Sequence, residues 1–402
     1  MVSIFDKPVA DVTLEDLKAL IGHVESDRVD FKSEAYERND DGTREMLRDI
    51  SSFANGAGGY LIVGVETEKT DEGDRAATIV GIENGGEEAG RMLQSCLASI
   101  EERIIGLGCK VVPVSEGCQA VVVFVPRSAR APHMITFKGL YQCWKRQGSQ
   151  KHKMSIEEIR QACLRTESIR VSLERFIRER RLKVLRQIGD KPHLFLTATP
   201  LVVKDEVIET GDERVRELMR NPPDPQDTDW TVGGAQRVTP SLYGLVAEIE
   251  GWKRLELFRN GHAEFRVAVD KLLFRLPPES GDECREVTRA KALAGYPLSF
   301  LGFVRAVAEY AGIMEPIVTG LRILNATGLR LSPYRSEDPD IRDAGRGEHR
   351  VWEDEQHLEV PEMQFPYPLD PGRATKALVD RVYQAFGFEG CPVLDEQGQL
   401  KV

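Results

Sequence analysis

The chain has 402 residues, 41% hydrophobic and 30% charged, which is too long for one ordinary domain and enough to bury a sizeable core. Its net charge of −11 speaks against blanket binding to a polyanion, and the lack of any eighteen-residue apolar run excludes a membrane-spanning helix. Seven cysteines with no CxxC pair exclude a disulfide framework and a zinc ribbon, and they fit small buried hydrophobes in a reducing cytosol, hence a cytoplasmic protein.

In chain order, Met1–Ala10 carries Asp6 and no long apolar core, unlike a signal peptide. Leu14–Gly22 reads as a short helix with Thr13 as N-cap and Asp16 in its first turn. Arg28–Ser33 reads as a strand, with Val29 and Phe31 on one side and Asp30 and Lys32 on the other. In Thr43–Ala54, Met46, Leu47, Ile50, Phe53 and Ala54 recur at helical spacing, and Asn55-Gly56 supplies the stop. Tyr60–Val65 is a continuous apolar run and reads as a buried strand. Further strands are predicted at Thr78–Ile82, Lys110–Val114, Ala120–Val125 and Leu140–Arg146, with a helix over Glu87–Ile104.

Ile156–Ile188 is an Arg-rich helix on which the domain boundary is placed. Its cations, Arg170 and Arg180 among them, either extend a phosphate track or pair with Glu167, Glu174 and Glu179. Beyond it the pattern is α+β. His193–Thr199 and Ile317–Asn325 are strands, and Lys253–Phe258 and His262–Val267 flank a hairpin signal at Arg259-Asn260-Gly261. Pro297–Ala311 and Ala374–Phe386 are helices, and Asn221–Gly234 and Pro333–Gly347 are loops. The organisation expected is therefore α+β throughout: a mixed-sheet domain over 1–165, a basic helical connector over 166–190 and a second α+β domain over 191–402.

Three features bear on chemistry. Glu25, Asp30 and Glu66 lie at or near strand ends, and carboxylates that converge there repel one another unless a divalent cation neutralises them. Hard oxygen ligands favour Mg²⁺ or Mn²⁺, and Lys32, on the same face as Asp30, is placed to hold a phosphate. Alternatively each acid is a solvated surface residue. Asn55–Gly59, with Gly58 and Gly59, is either a loop that lets the backbone approach a phosphate or a plain helix stop and turn. There is no Gly-Lys-[Ser/Thr], so it is not a Walker A loop. Finally, Pro126–Ser155 holds no Asp or Glu but carries Arg127, Arg130, Lys138, Lys145, Arg146, Lys151 and Lys153, with His133 and His152. Such a strip on an acidic protein suggests a phosphate-facing surface, or a solvated face that offsets acidic neighbours. Tyr141 and Trp144 lie in it and either stack on bases or pack in the core. Asp224, Asp227 and Asp229 in a proline-rich loop, and His23 near Glu25, read as ordinary surface or core residues.

The segments Glu25-Ser26…Asp30-Phe31-Lys32, Ser52–Gly59, Gly64-Val65-Glu66 and Arg146-Gln147-Gly148-Ser149, in that order, resemble the Schlafen AlbA-type domain. That family's pattern runs E-S-x-x-x-E-F-K, A-F-A-N-x-x-G-G, G-V-x-D and R-x-G-S. Some members are metal-dependent endoribonucleases acting on tRNA or rRNA. The resemblance implies catalytic and metal-binding acids at Glu25, Asp30 and either Glu66 or Glu68, with Lys32 at the phosphate. Two departures stand out: Asp30 replaces the longer Glu, and Thr67 occupies the usual Asp position between Glu66 and Glu68. The reading implied is a metal-dependent endonuclease for structured RNA or single strands, homodimeric so that two lobes form a clamp, and linked by analogy to phage defence. A non-catalytic nucleic-acid-binding regulator is the alternative, and a nucleotide-binding protein a weaker one.

Overall fold

The computed structural model describes residues 9–202, 206–223, 229–276, 285–331 and 350–401. The chain forms two compact units, Met1–Arg175 and Phe176–Val402, so the boundary falls inside the long helix.

In the N-terminal unit a short helix α1 (Leu14–Lys18) is closed at its start by Asp16, whose carboxylate accepts from the Thr13 backbone N–H at 2.8 Å. Strand β1 (Val29–Lys32) is followed by helix α2 (Asp40–Ala54). This helix starts earlier than the apolar spacing indicates, because the Asn39 side chain caps it through the Gly42 N–H. Strand β2 (Gly59–Val63) leads through Gly64 into the hairpin β3 (Val65–Thr70) and β4 (Gly73–Ile79). Then come β5 (Ile82–Glu83), helix α3 (Gly85–Ser99), β6 (Ile100–Glu101), β7 (Gly108–Ser115) and β8 (Cys118–Val125). The unit continues with β9 (Met134–Ile135), β10 (Gln142–Gln147) and β11 (Gln150–Lys153), then the start of helix α4 (Ile156–Ile188).

The central sheet runs β1-β2-β8-β5 with β7 on β8, and a second sheet runs β11-β10-β9-β6. β1 pairs parallel with β2 and β8 pairs antiparallel, so the sheet is mixed. Asp30 is in register with Leu61 and Lys32 with Val63. Parallel neighbours share a face, so the two polar side chains of β1 sit on the side where Leu61 and Val63 pack against Met46, Ile50 and Phe53 of α2. Charged groups thereby enter the helix-covered side of the sheet.

The second unit is built on a seven-stranded antiparallel sheet. Its strands are β12 (His193–Pro200), β13 (Val238–Pro240), β14 (Gly244–Ile249), β15 (Lys253–Phe258), β16 (Ala263–Ala268), β19 (Ile317–Leu324) and β22 (Leu358–Phe365), in the order β13-β14-β15-β16-β12-β19-β22. A smaller sheet orders β17 (Leu273–Leu276), β18 (Arg285–Thr288), β20 (Arg330–Leu331) and β21 (Arg350–Val351). Helices α5 (Glu213–Arg220), α6 (Ala290–Ala311) and α7 (Pro371–Ala385) contribute Met219, Phe300, Phe303, Leu378 and Tyr383 to one core with the main sheet.

Helix α6 begins well before Pro297, which the sequence reading had placed at its start. The preceding Ala292–Tyr296 stretch is buried, and that burial outweighs the local cost of an internal proline. The described ends of Asn221–Gly234 are free of helix and strand, as expected, whereas Asp224, Asp227, Pro333–Gly347 and Cys284 lie outside the described residues. The six described cysteines are unpaired, and Cys163 is exposed rather than a buried hydrophobe.

Candidate nucleic-acid interface

The hairpin of β10 and β11 lies across α2 and the face of β1 that carries Asp30 and Lys32. Alternation puts Trp144 and Arg146 on one side of β10, in register with Lys153 and Lys151. Arg146 reaches inward: its side chain is 2% exposed and its Nη2 donates to Asp30 Oδ1 at 2.8 Å. Its Nε donates to the Ser26 carbonyl at 2.8 Å, and the guanidinium lies 4.7 Å from the Phe53 ring centre. The sequence reading had Arg146 guiding a nucleic-acid backbone, and the structure corrects this. Arg146 is the buried counter-ion of Asp30 and has no open face for a phosphate.

Around this pair the charges alternate. Lys32 Nζ lies 3.0 Å from Asp30 Oδ2 and 3.8 Å from Asp49 Oδ2, and Asp49 of α2 is 1% exposed. Lys151 pairs with Asp49 Oδ1, and the Tyr36 hydroxyl donates to Asp49 Oδ2 at 2.7 Å. Burial opposes ionisation of Asp30, but Lys32 and Arg146 outweigh it and hold the carboxyl below its usual range. Burial likewise works against charged Lys32, and Asp49 with Asp30 overcomes it and raises the ammonium. Tyr36 is pushed well above the usual phenol range by burial and by Asp49. Asp49 and Tyr36 were absent from the sequence-derived site. The available signal was an acid on the apolar stripe of α2, three residues after Met46 and four before Phe53.

Glu25 adjoins this network without a salt bridge among the described residues. Its Oε1 accepts from the Phe31 N–H at 3.0 Å. Burial first, then the Asp30 carboxylate, pushes Glu25 up to about 7. Glu25 and Asp30 therefore lie near enough for the charge on Asp30 to raise Glu25. Glu66 and Glu68 are exposed on β3, where Glu68 pairs with Arg75 at 2.6 Å. Among the described residues, no group of three His, Cys, Asp or Glu side chains is arranged to hold a metal ion. Asp30 Oδ2 is buried and accepts no hydrogen bond of good geometry, even with Lys32 Nζ beside it. Two adjoining carboxylates with such an oxygen fit the part of a Mg²⁺ or Mn²⁺ site that protein supplies when waters complete the shell.

The glycine loop is explained by packing. A Cβ on Gly58, whose φ is +71°, would strike the Arg127 backbone N, and one on Gly59 would strike the Arg28 carbonyl. Asn55 is tied inside: its amide donates to the His133 and Trp144 carbonyls at 3.0 and 2.8 Å, and its Oδ1 accepts from the His133 N–H at 2.7 Å. These three residues seat the helix end against neighbouring strands. They are corrected from phosphate contacts to structural positions, because no free donor or open backbone face remains.

What stays open to solvent is a polar cleft of about 600 Å³ between α2 and the basic strip. It is lined by Arg44, Arg48, Lys138 and Lys151, with Asp41 and Glu45 as its acids. Lys138 pairs with Asp40 at 2.6 Å and Arg44 with Asp41 at 2.9 Å. Arg48 stacks 4.9 Å from the Trp144 ring centre and its Nε has no hydrogen-bond partner. Arg127, Arg130 and Lys153 are exposed, and Lys145 is half-buried on the other side of β10. Tyr141 is 67% exposed, which overturns the core reading for it, while Trp144 packs against the core as expected. His23 is exposed. On α4, Arg170 pairs with Glu167 and Glu174 at 2.6 and 2.8 Å, which favours the paired-helix reading of those cations.

Residues 25–155 match the Schlafen, AlbA_2 family, so the N-terminal unit carries a Schlafen AlbA-type domain and with it a link to nucleic-acid handling. No curated protein matches the chain. Among solved structures it is similar to the N-terminal domain of a RecG-related protein from Nitrosomonas europaea, determined by NMR. That likeness has 23% identity and a TM-score of 0.26, and it covers 37% of this chain and 95% of the other. Among the described residues, no helix is long and apolar enough to cross a membrane.

Proposed function

We propose that the N-terminal unit binds nucleic acid, RNA in particular, in the cleft between α2 and the basic strip. One observation carries the reading: four cations line a solvent-open cleft, and one of them, Arg48, has no carboxylate partner among the described residues. The Arg48 guanidinium, 4.9 Å over the Trp144 ring centre, is available to a phosphate, and the exposed ring of Tyr141 offers a face to an unpaired base. Filter binding of labelled single-stranded RNA over a salt series tests this. Affinity should fall steeply with salt, and Arg48→Ala should weaken binding and flatten the slope by about 0.7, the loss of one single-strand phosphate contact. Binding that ignores salt, or an unchanged slope in the variant, refutes it. The clamp implied by a single AlbA-type lobe needs a second copy, which sedimentation of the full chain with and without RNA tests.

A second reading, metal-dependent cleavage, is favoured by Glu25, which is held near neutrality beside an under-satisfied Asp30 oxygen. Glu25 and Asp30 would hold Mg²⁺ or Mn²⁺, which when bound supplies an activated water and charge stabilisation at phosphorus. Lys32 fixes Asp30 and Asp49 in place, and Arg146 locks β10 to β1 so that the cleft keeps its shape. Labelled tRNA incubated with Mn²⁺ or with EDTA separates the readings. Products that vanish in EDTA and in Glu25→Ala support cleavage, whereas retained binding without products leaves the binding function alone.

A further inference from the structure

The second unit contains a pocket of about 400 Å³ that the N-terminal reading leaves unused. Its wall on α4 is built by Phe176, Glu179, Arg180 and Lys183, which lie at helical spacing on one side of that helix, Glu179 being the one acid of the lining. Its opposite wall is the turn before β14, with Leu242 and Tyr243, and its end is the β15–β16 turn at Arg259-Asn260. Two properties make it unlike an ordinary surface dent. Large apolar groups are left in solvent at its mouth, with Leu242 82% and Tyr243 52% exposed. Two cations on its rim, Lys183 and Arg259, have no carboxylate partner among the described residues: Lys183 Nζ rests 4.8 Å from the Tyr243 ring centre, and Arg259 makes only backbone bonds.

The frame behind these groups is rigid. Arg180 is spent on Glu264, by two bonds of 2.7 Å, and lies 4.5 Å over the Phe258 ring. His262 bridges Glu264 and Thr199 at 2.9 and 2.8 Å beneath that ring. The Arg259 backbone is clamped from both sides: its N–H donates to the Tyr243 carbonyl at 2.9 Å, and its carbonyl accepts from Val207 and Ile208. The Asn260 Oδ1 is occupied by the His262 N–H at 3.0 Å, so its amide group is the part left to donate.

We infer that this pocket binds a nucleotide, with the ring stacked among Tyr243 and its aromatic neighbours and the phosphate between Lys183 and Arg259. An aromatic floor lined by two cations without carboxylate partners among the described residues and by a free amide donor matches a planar ring that carries an anion, and the volume is within the range of small-molecule sites. The same chemistry is offered by a free nucleoside monophosphate and by the 5′-phosphorylated end of an oligonucleotide. The site lies wholly within the second unit and stands independently of the cleft on the N-terminal unit.

Calorimetric titration of the full chain tests this with adenosine, guanosine, cytidine and uridine monophosphates, the parent nucleosides, inorganic phosphate and a 5′-phosphorylated tetraribonucleotide. Saturable binding of a monophosphate, with its nucleoside or phosphate alone at least about tenfold weaker, is the expected result for a free-nucleotide site. Tighter binding of the tetranucleotide that is retained in Arg48→Ala, so that the N-terminal cleft is not its cause, marks a strand end as the source. Tyr243→Ala should weaken binding by about tenfold or more while Tyr243→Phe retains it, since the stacking face survives. Lys183→Gln and Arg259→Gln should erase the preference for nucleotide over nucleoside. Arg48→Ala, on the other unit, should leave monophosphate binding unchanged. A thermal melt of each variant establishes that it is folded. The inference is overturned by no saturable binding of any probe, or by binding that survives Tyr243→Ala and both cation variants. It is equally overturned if monophosphate binding disappears in Arg48→Ala alone.

Discussion

Truncating Arg146 to alanine separates a structural cation from a phosphate contact. In the native unit its guanidinium and the Asp30 carboxylate are 2% and 4% exposed and 2.8 Å apart. Removing one partner of a buried ion pair costs about 3–5 kcal/mol, because the other charge is left without compensation. Lys32, 3.0 Å from Asp30 Oδ2, remains and carries part of that load, which places the expected loss near the lower end, about 3 kcal/mol. The stack on Phe53 and the bond to the Ser26 carbonyl are lost with it. Urea unfolding of the full chain near neutral pH reads this as an early shift of the transition that reports the N-terminal unit. Asp30→Asn made in the Arg146→Ala background removes the stranded charge, so the double variant should be more stable than the sum of the single losses by about 0.5–3 kcal/mol. Arg146→Lys should recover only part of the stability, since an ammonium keeps the charge but not the fork that reaches Ser26. A loss within about 0.5 kcal/mol for Arg146→Ala, combined with a flatter salt dependence of RNA binding, would show that Arg146 faces nucleic acid and would refute the buried-pair assignment.

Glu25 is raised from 4.5 to about 7, so between those values the unfolded chain ionises while the folded one keeps its proton, and stability falls as pH rises through that window. Glu25→Gln keeps an acceptor for the Phe31 N–H but never ionises, so its stability relative to the native protein should grow from about pH 5 to about pH 8; a gap that stays constant contradicts the assignment. Mn²⁺ binding needs the carboxylate form, so its affinity should rise over the same interval in the native protein and be weak throughout in Glu25→Gln, as read by manganese relaxation. Gly58→Ala forces a Cβ at φ +71° into the Arg127 backbone and should cost more than about 1 kcal/mol in urea unfolding, whereas a mere flexible loop would tolerate it.

The elements that were legible in the sequence are those whose own residues carry a period. Helix α4 was read to its ends, Ile156 and Ile188, because its apolar and charged positions repeat over many turns. Strand β1 and its two faces followed from simple alternation. The β3–β4 hairpin was not read as such, because Glu66–Lys69 is exposed and polar and gives no alternating signal. In the second unit β14 and α5 went unread: β14 is buried by partners on either side, and α5 has only about two turns of pattern.

The site divides in the same way. That Glu25, Asp30 and Lys32 belong together was legible, because they lie within eight residues and on one strand or the turn before it. What could not be read was which cations neutralise them. Arg146 stands 116 residues after Asp30, in a strip whose composition alone argues for a solvent-facing role. Its burial is decided by tertiary pairing, with β10 laid on α2 so that alternate side chains point inward. The consequence is chemical. Two ionised acids, Asp30 and Asp49, share one neighbourhood with three bases, Lys32, Arg146 and Lys151, and with Glu25 beside them, so the chain itself compensates the buried carboxylates. Only Glu25 lacks a cation directly on it, and it answers by holding its proton to about 7. A divalent ion arriving there displaces the Glu25 proton, so metal and pH act on the same oxygen, and at Asp30 Oδ2 it competes with Lys32 Nζ, which lies 3.0 Å away.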